Sequence, residues 1–161
     1  MFGLFKKQNN TSFSIVSTQN GTVVELNNVP DDVFAGKMLG DGVAVIPTDD
    51  NIVSPVDGTV LQVFDTLHAY AIHSDDGLDI LVHIGINTVE LNGEGFTALV
   101  KAGDHVKAGD SIATADIAFL KSKGYEIHTP IIITNMDAVK DVKYNIGTAE
   151  AGKTTVLTYT K

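Results

Sequence analysis

Turn signals divide this chain of 161 residues into short segments rich in β-branched side chains. The sequences NG, GDG, VDG and SDDG at residues 20–21, 40–42, 56–58 and 74–77 each separate runs that contain valine, isoleucine or threonine. Short runs closed by glycine and aspartate turns are typical of antiparallel sandwiches and barrels. We therefore predict an all-β fold, an antiparallel β-sandwich or barrel-like domain with a few short helices.

Two segments predict those short helices. PDDVFAGKML places Pro30 where it suits a first turn and follows it with two aspartates at the positive end of the helix dipole. DIAFLKSKG begins at Asp116, a good N-cap, and ends at Gly124, a residue that commonly stops a helix. Both helices are expected to decorate a sheet.

The chain contains no low-complexity linker after its first residues. We therefore predict a single domain over residues 11–161, behind a flexible N-terminal tail of residues 1–10. The tail carries apolar residues before Lys6 and Lys7, a pattern that also suits a weak peripheral anchor at a membrane surface.

Composition excludes several classes of function. The 20 acidic and 11 basic residues give a net charge of −9, which repels nucleic-acid backbones, so we expect no nucleic-acid partner. The absence of cysteine excludes disulfides and thiolate catalysis, and it suits a cytoplasmic protein. No apolar run approaches the ~20 residues of a membrane span.

Two strand-like runs, residues 60–73 and 77–86, are joined by SDDG and predict a hairpin. A two-residue loop, in either of its two placements, puts His68 and His83 on one face of the sheet, directly opposed or diagonal. A three-residue loop or a bulge would send them to opposite faces. Thr66 shares the face of His68, so these three residues form a candidate site.

A histidine in an apolar strand commonly has only a structural role. If this site is functional, two kinds of chemistry suit it. His68 and His83 could be zinc ligands, but catalytic zinc usually has a third protein ligand, and the sequence has no HxH or HExxH motif. Alternatively, one ring attacks as a nucleophile while the other stabilises incoming charge, which suits phosphoryl transfer.

The segments SPVDGTV, HAYAIHSDDGLDILVHIGINTVELNGEGF, GDHVKAGD and TPIIITNMD resemble, in the same order, the glucose-type IIA component of the bacterial phosphoenolpyruvate-dependent sugar phosphotransferase system. The resemblance covers nearly the whole chain after the tail. It implies an antiparallel β-sandwich with short helices. It also implies a phosphotransferase component that acts through a phosphohistidine and requires no cofactor, in contrast to a stand-alone enzyme for small molecules.

The resemblance also implies roles for the three site residues. His83 is expected to accept phosphate from the histidine-containing phosphocarrier protein and pass it to the IIB domain of a glucose-type sugar permease. His68 matches the assisting histidine, and Thr66 matches the threonine that orients it. A zinc ion bridging His68 and His83 to a partner or neighbouring molecule is a further expectation, as is regulation of transporters or kinases by the free form.

Apolar and polar residues around the site are expected, by resemblance, to form a partner surface. They are Val33, Phe34, Met38, Leu39, Phe64, Leu81, Asn87, Val89 and Glu90. Asn87 departs from the family pattern, which often has aspartate there, so one charge is missing from this surface.

Three other classes of protein are alternatives: a metal-dependent enzyme, a carrier of a covalently attached cofactor, and a binding protein. A zinc-dependent hydrolase on a related β architecture would need a third metal ligand. A biotin- or lipoate-carrying module would need a turn lysine beside small residues or methionine, whereas TNMDAVK has Asp137 after Met136. A pure binding protein would not accept phosphate from a phosphohistidine donor.

Overall fold

A computed structural model describes residues 12–161, and the predicted tail of residues 1–10 lies outside them. The strands of the described chain are β1 (Phe13–Val16), β2 (Gly21–Glu25), β3 (Asp41–Pro47), β4 (Asn51–Val53), β5 (Gly58–Val63), β6 (Ala69–Ser74), β7 (Asp79–His83), β8 (Phe96–Ala98), β9 (His105–Val106), β10 (Ser111–Ala115), β11 (Thr129–Ile133), β12 (Lys140–Tyr144), β13 (Gly147–Ala149) and β14 (Thr155–Thr160). The helices are α1 (Asp32–Ala35) and α2 (Ile117–Ser122), with 3-10 turns at Leu26–Asn28, Thr88–Leu91 and Met136–Ala138.

The strands form antiparallel sheets packed as a sandwich. An eight-stranded sheet has the order β13-β2-β3-β11-β7-β6-β5-β9, and two three-stranded sheets have the orders β1-β14-β12 and β4-β10-β8. Every described strand pair is antiparallel. The predicted all-β class is confirmed. No helix among residues 12–161 is long and apolar enough to cross a membrane.

The large sheet buries apolar side chains on both faces near its centre. On β7, Ile80 and Val82 lie in the main core, while Leu81 and His83 alternate onto the outer face. A second, smaller cluster covers part of that outer face, and α1 contributes Phe34 to it. His83 therefore lies at the edge of a packed apolar layer rather than on an open sheet.

Aspartate side chains cap both helices. Asp31 accepts hydrogen bonds from the backbone N–H groups of Val33 and Phe34, at 2.9 and 3.4 Å. Asp116 accepts from the N–H of Phe119 at 3.0 Å. The cap at Asp116 confirms the predicted start of α2. The predicted start of α1 is wrong, because Pro30 precedes the cap at Asp31 and is not in the first turn.

The predicted two-residue loop between the central strands is wrong. Ala69 pairs with His83 and His73 pairs with Asp79, so the loop is the three residues 75–77. The reason is Ser74, whose hydroxyl accepts the N–H of Leu78 at 2.8 Å and donates to Asp76, closing a longer turn. The predicted strand of residues 60–73 is also interrupted, because β5 ends at Val63 and β6 begins at Ala69.

Candidate active site

His83 is the last residue of β7, and a backbone carbonyl fixes its ring. Its Nδ1 lies 2.8 Å from the oxygen of Gly85. A carbonyl oxygen only accepts hydrogen bonds, so Nδ1 carries the proton and the neutral ring has its free lone pair on Nε2. The geometry therefore leaves one defined nitrogen, Nε2, with a free lone pair.

Gly85 is held in a conformation that other residues rarely adopt. Its φ is +77°, and a Cβ built there would lie 2.6 Å from Cγ2 of Thr88. The Thr88 hydroxyl in turn donates to the carbonyl of Ile84 at 2.5 Å. This turn directs the Gly85 carbonyl at His83. The glycine that follows His83 by two residues was a sequence signal for this role, but no role was predicted for it.

His68 lies in the turn before β6, not on a strand, and is only 4% exposed. The three-residue loop found above would place a strand residue at 68 on the face opposite His83. The rings nevertheless meet, with centroids 4.8 Å apart, as predicted. Leu67, directly before His68, has a left-handed backbone with φ 61°.

Thr66 lies in the same turn and orients His68. Its Oγ1 is 2.7 Å from Nδ1 of His68. This bond leaves Nε2 of His68 for other contacts. The structure thus brings together the three residues of the predicted site, Thr66, His68 and His83.

Burial keeps both rings neutral near pH 7. It lowers the pKa of His68 to about 4; a charge on His83 would lower it further, and Thr66 acts in the opposite direction. Burial also lowers the pKa of His83, an effect that the Gly85 carbonyl and the Asp31 carboxylate partly offset. A neutral imidazole is the form that attacks or that binds a metal.

Two phenylalanines form the walls of the site. The ring of Phe34 lies 4.9 Å from that of His83, and the ring of Phe64 lies 5.9 Å from that of His68, edge to face. Phe34 is only 6% exposed. Phe34 thus lies at the rim of the site, as predicted, but its ring is packed against His83 and offers little exposed area to a partner.

The other residues predicted for the partner surface are at least partly exposed. Val33, Met38, Leu39 and Val89 are 40%, 72%, 43% and 48% exposed. The remaining members are Asn87 and Glu90, which are exposed, and Phe64 and Leu81, which are half-buried. Of the exposed apolar residues, Val33 directly precedes Phe34, whose ring packs on His83.

Two polar members of this surface have defined surroundings. Asn87 has φ 62°, a left-handed conformation that asparagine and aspartate tolerate better than most residues. Glu90 accepts a hydrogen bond from the hydroxyl of Tyr125 at 2.9 Å. Asn87 thus suits the left-handed backbone at this position.

The site offers two ligands to a metal ion. With Nδ1 of each ring engaged, Nε2 of His68 and Nε2 of His83 are the available nitrogens. Residues 12–161 contain no group of three or more histidine, cysteine, aspartate or glutamate side chains placed to hold a metal. Since catalytic zinc usually has three protein ligands, this donor set does not fit a zinc-dependent hydrolase.

Comparison with known proteins gives a consistent match. Residues 13–139 match the family described as phosphoenolpyruvate-dependent sugar phosphotransferase system, EIIA 1. The glucose-specific EIIA component of the PTS system of Bacillus anthracis is 45% identical over 161 residues, covering 99% of this chain and 96% of that protein. The corresponding component of Haemophilus influenzae is 42% identical over 156 residues, covering 97% and 94%.

A solved structure gives the same result. Glucose permease IIA from Mycoplasma capricolum aligns with a TM-score of 0.87 at 34% sequence identity, covering 98% of this chain and 99% of that one.

Proposed function

The chain belongs to the EIIA 1 family of the phosphoenolpyruvate-dependent sugar phosphotransferase system, and on this basis we propose that His83 carries the phosphoryl group. It is a glucose-specific EIIA phosphocarrier, which transfers the group through histidine. The observation that supports the assignment to His83 is the bond from Nδ1 to the Gly85 carbonyl, which leaves an unprotonated Nε2 on a neutral ring.

In the accepting step, the lone pair on Nε2 of His83 attacks the phosphorus atom of a phosphohistidine donor. The N–P bond of the donor breaks, its electron pair stays on the donor imidazole, and a new N–P bond forms on His83. The ring gains positive character as the bond forms. The Gly85 carbonyl, already bonded to Nδ1–H, stabilises that charge.

His68 stabilises the phosphoryl oxygens. When the hydroxyl of Thr66 donates to Nδ1 of His68, the proton of the neutral ring lies on Nε2, where it can donate to an oxygen of the group being transferred. Edge-to-face contact keeps this ring beside His83. His83 is thus the nucleophile, His68 the assisting residue and Thr66 the residue that orients it.

The phenylalanine walls protect the phosphorylated form. Phe34 packs on His83 and Phe64 packs on His68, which limits the approach of water from those sides. A labile N–P bond survives longer where attacking water is excluded. The docked partner closes the remaining side during transfer.

The partners follow from membership of the family. We assign the histidine-containing phosphocarrier protein as donor and the IIB domain of a glucose-type permease as acceptor, both in the cytoplasm. Their docking surface comprises the exposed apolar residues together with Phe64, Leu81, Asn87 and Glu90. Exposed apolar area around a reactive group suits transient partners. The free form also regulates transporters or kinases through this surface.

Phosphoryl transfer here requires no cofactor. Nε2 of His83 would offer a lone pair to a zinc ion, and Nε2 of His68 would do so in the tautomer whose Nδ1–H donates to the Thr66 hydroxyl. A partner or neighbouring molecule that supplies a carboxylate would then add a third ligand. We expect such zinc to join the two molecules and to compete with phosphorylation, since both use the lone pair of His83.

The assignment is tested by incubating the chain with phosphoenolpyruvate and the general enzymes of the system, then mapping acid-labile phosphate. We expect phosphate on His83 and none after His83→Gln. His73→Gln is the matched control, because His73 lies exposed on the same hairpin and bonds Asp79. Phosphate that persists in His83→Gln would overturn the assignment.

A further inference from the structure

The turn that carries Thr66 and His68 has a leucine where such turns usually have glycine. The N–H of Leu67 donates to the carbonyl of Phe64 at 2.7 Å, and the N–H of Phe64 donates to the carbonyl of Ala69 at 3.0 Å. Leu67 has φ 61°. In hairpin loops of this kind the left-handed position is ordinarily filled by glycine or asparagine, since a larger side chain is strained there.

Packing of the leucine side chain offsets that strain. Leu67 is half-buried and packs against the main core of the sandwich. Its Cδ1 lies over Gly93, 3.7 Å from where a Cβ of that residue would be. A residue keeps a disfavoured backbone conformation when contacts with the surrounding structure hold it there, and such residues cluster at functional sites.

The strand register does not by itself account for the direction of the His68 ring. The strand register pairs Ala69 with His83, so a regular strand would direct position 68 to the opposite face. The carbonyl of His68 still accepts the N–H of Ile84 at 2.7 Å, as this register requires, so the backbone of His68 remains tied to the strand that carries His83. The departure from regular strand geometry lies directly before it, at the left-handed Leu67.

We propose that Leu67 is a positioning residue, whose left-handed backbone sets the ring of His68 against His83 and within reach of Thr66. Its effect on phosphoryl donation rests on the proposed function. Its effect on the placement of His68 does not. Misplacing a catalytic group by about 1 Å can reduce a rate about a hundredfold, so small changes in this turn are expected to be measurable.

The test uses substitutions that separate backbone from packing. Leu67→Asn and Leu67→Ala both remove the leucine side chain, but asparagine tolerates the left-handed conformation better than alanine does. Leu67→Val keeps an apolar side chain and is β-branched, which disfavours that conformation most. Asp141→Val is the matched control, because Asp141 is an exposed non-glycine residue with φ 50° on β12, away from the site.

Two readouts are measured for each variant. The first is the pKa of His68, followed by NMR of its ring protons, which needs no phosphoryl transfer. The second is the rate of acceptance and of donation. We expect Leu67→Val to raise the pKa of His68 from about 4 toward its ordinary 6.5, as the ring leaves its buried position. Donation should slow by about tenfold or more. Leu67→Asn should resemble the wild type more closely than Leu67→Ala, and Asp141→Val should change neither readout.

Two results would overturn the inference. One is a wild-type pKa of His68 in Leu67→Val. The other is an equal rise of this pKa in Leu67→Asn and Leu67→Ala, which would assign the effect to packing and not to backbone. If Leu67→Val does not fold, comparing the pKa of His68 in Leu67→Asn and in Leu67→Ala still tests the inference. A wild-type chain that accepts no phosphate would instead contradict the proposed function. The NMR measurement would still test whether Leu67 positions His68, because it does not depend on phosphoryl transfer.

Discussion

The rings of His68 and His83 meet edge to face, with their planes inclined at 84°. Each ring has its Nδ1 engaged by a neighbour of its own hairpin, Thr66 in one case and Gly85 in the other. A proton on one ring disfavours a proton on the other, because like charges at this separation repel. The two histidines therefore behave as one unit, and each can be tested through the other.

His68→Gln is expected to separate acceptance from donation. Glutamine can donate a hydrogen bond to a phosphoryl oxygen but cannot become cationic when the leaving imidazole and the moving group need charge stabilisation. Acceptance should survive in part, whereas donation to the IIB domain should slow by at least about tenfold more. Rapid-quench measurement of both half-reactions checks this. Equal losses in both would mean that His68 only positions the group.

The buried neutral His68 should make the protein less stable in acid. Above pH 6.5 neither the folded nor the unfolded state protonates this residue, so it contributes no pH dependence. Between pH 6.5 and about 4 the unfolded state binds a proton that the folded state does not, which favours unfolding. The wild type should lose up to about 3 kcal/mol more unfolding free energy over this range than His68→Gln. Urea denaturation across the range measures it, and parallel curves for the two proteins would contradict it.

Gly85→Ala should disturb the nucleophile through the backbone. The added methyl would meet Cγ2 of Thr88 at 2.6 Å in a conformation with φ +77°. We expect a loss of about 1–3 kcal/mol in unfolding free energy and slower acceptance of phosphate. Gly103→Ala is the matched control, since Gly103 has φ +96° with nothing within 4 Å of its added Cβ. Similar effects of both substitutions on acceptance would show that contact with Thr88 is not the cause.

Asp31 has two roles that substitution can separate. Its carboxylate caps α1 and raises the pKa of His83. Asp31→Asn keeps a cap and removes the charge, so the pKa of His83 should fall further while stability is nearly unchanged. Asp31→Ala removes both and should cost about 1 kcal/mol of stability. NMR titration of His83 with thermal unfolding distinguishes the two, and an unaltered titration in both variants would rule out the electrostatic role.

The elements that local chemistry determines could be predicted from the sequence. The turn signals predicted the sheet class, and Asp116 predicted the start of α2, because a cap needs only one side chain and its neighbouring N–H groups. Thr66, His68 and His83 were brought together by hairpin reasoning whose register was wrong by one residue.

The remaining features depend on contacts that a pattern does not show. The three-residue loop after β6 arises from the hydroxyl of Ser74, which no turn dipeptide indicates. The left-handed Leu67 contradicts its own conformational preference and is explained only by packing in the folded protein. Phe34 was placed near the site only by family resemblance, because its packing against His83 is a tertiary contact that no local pattern indicates.

The two histidines of the reactive centre and the residues that bond their Nδ1 atoms belong to one contiguous segment, residues 64–85, that folds back on itself as a hairpin. The entropy lost in bringing His68 to His83 is therefore that of closing a short loop, which grows only slowly with loop length. Local contacts of this kind form early relative to the long-range pairings of a sandwich. A circular permutation or an insertion outside this segment, at an exposed turn such as residues 101–104, would leave the chemistry of the centre intact.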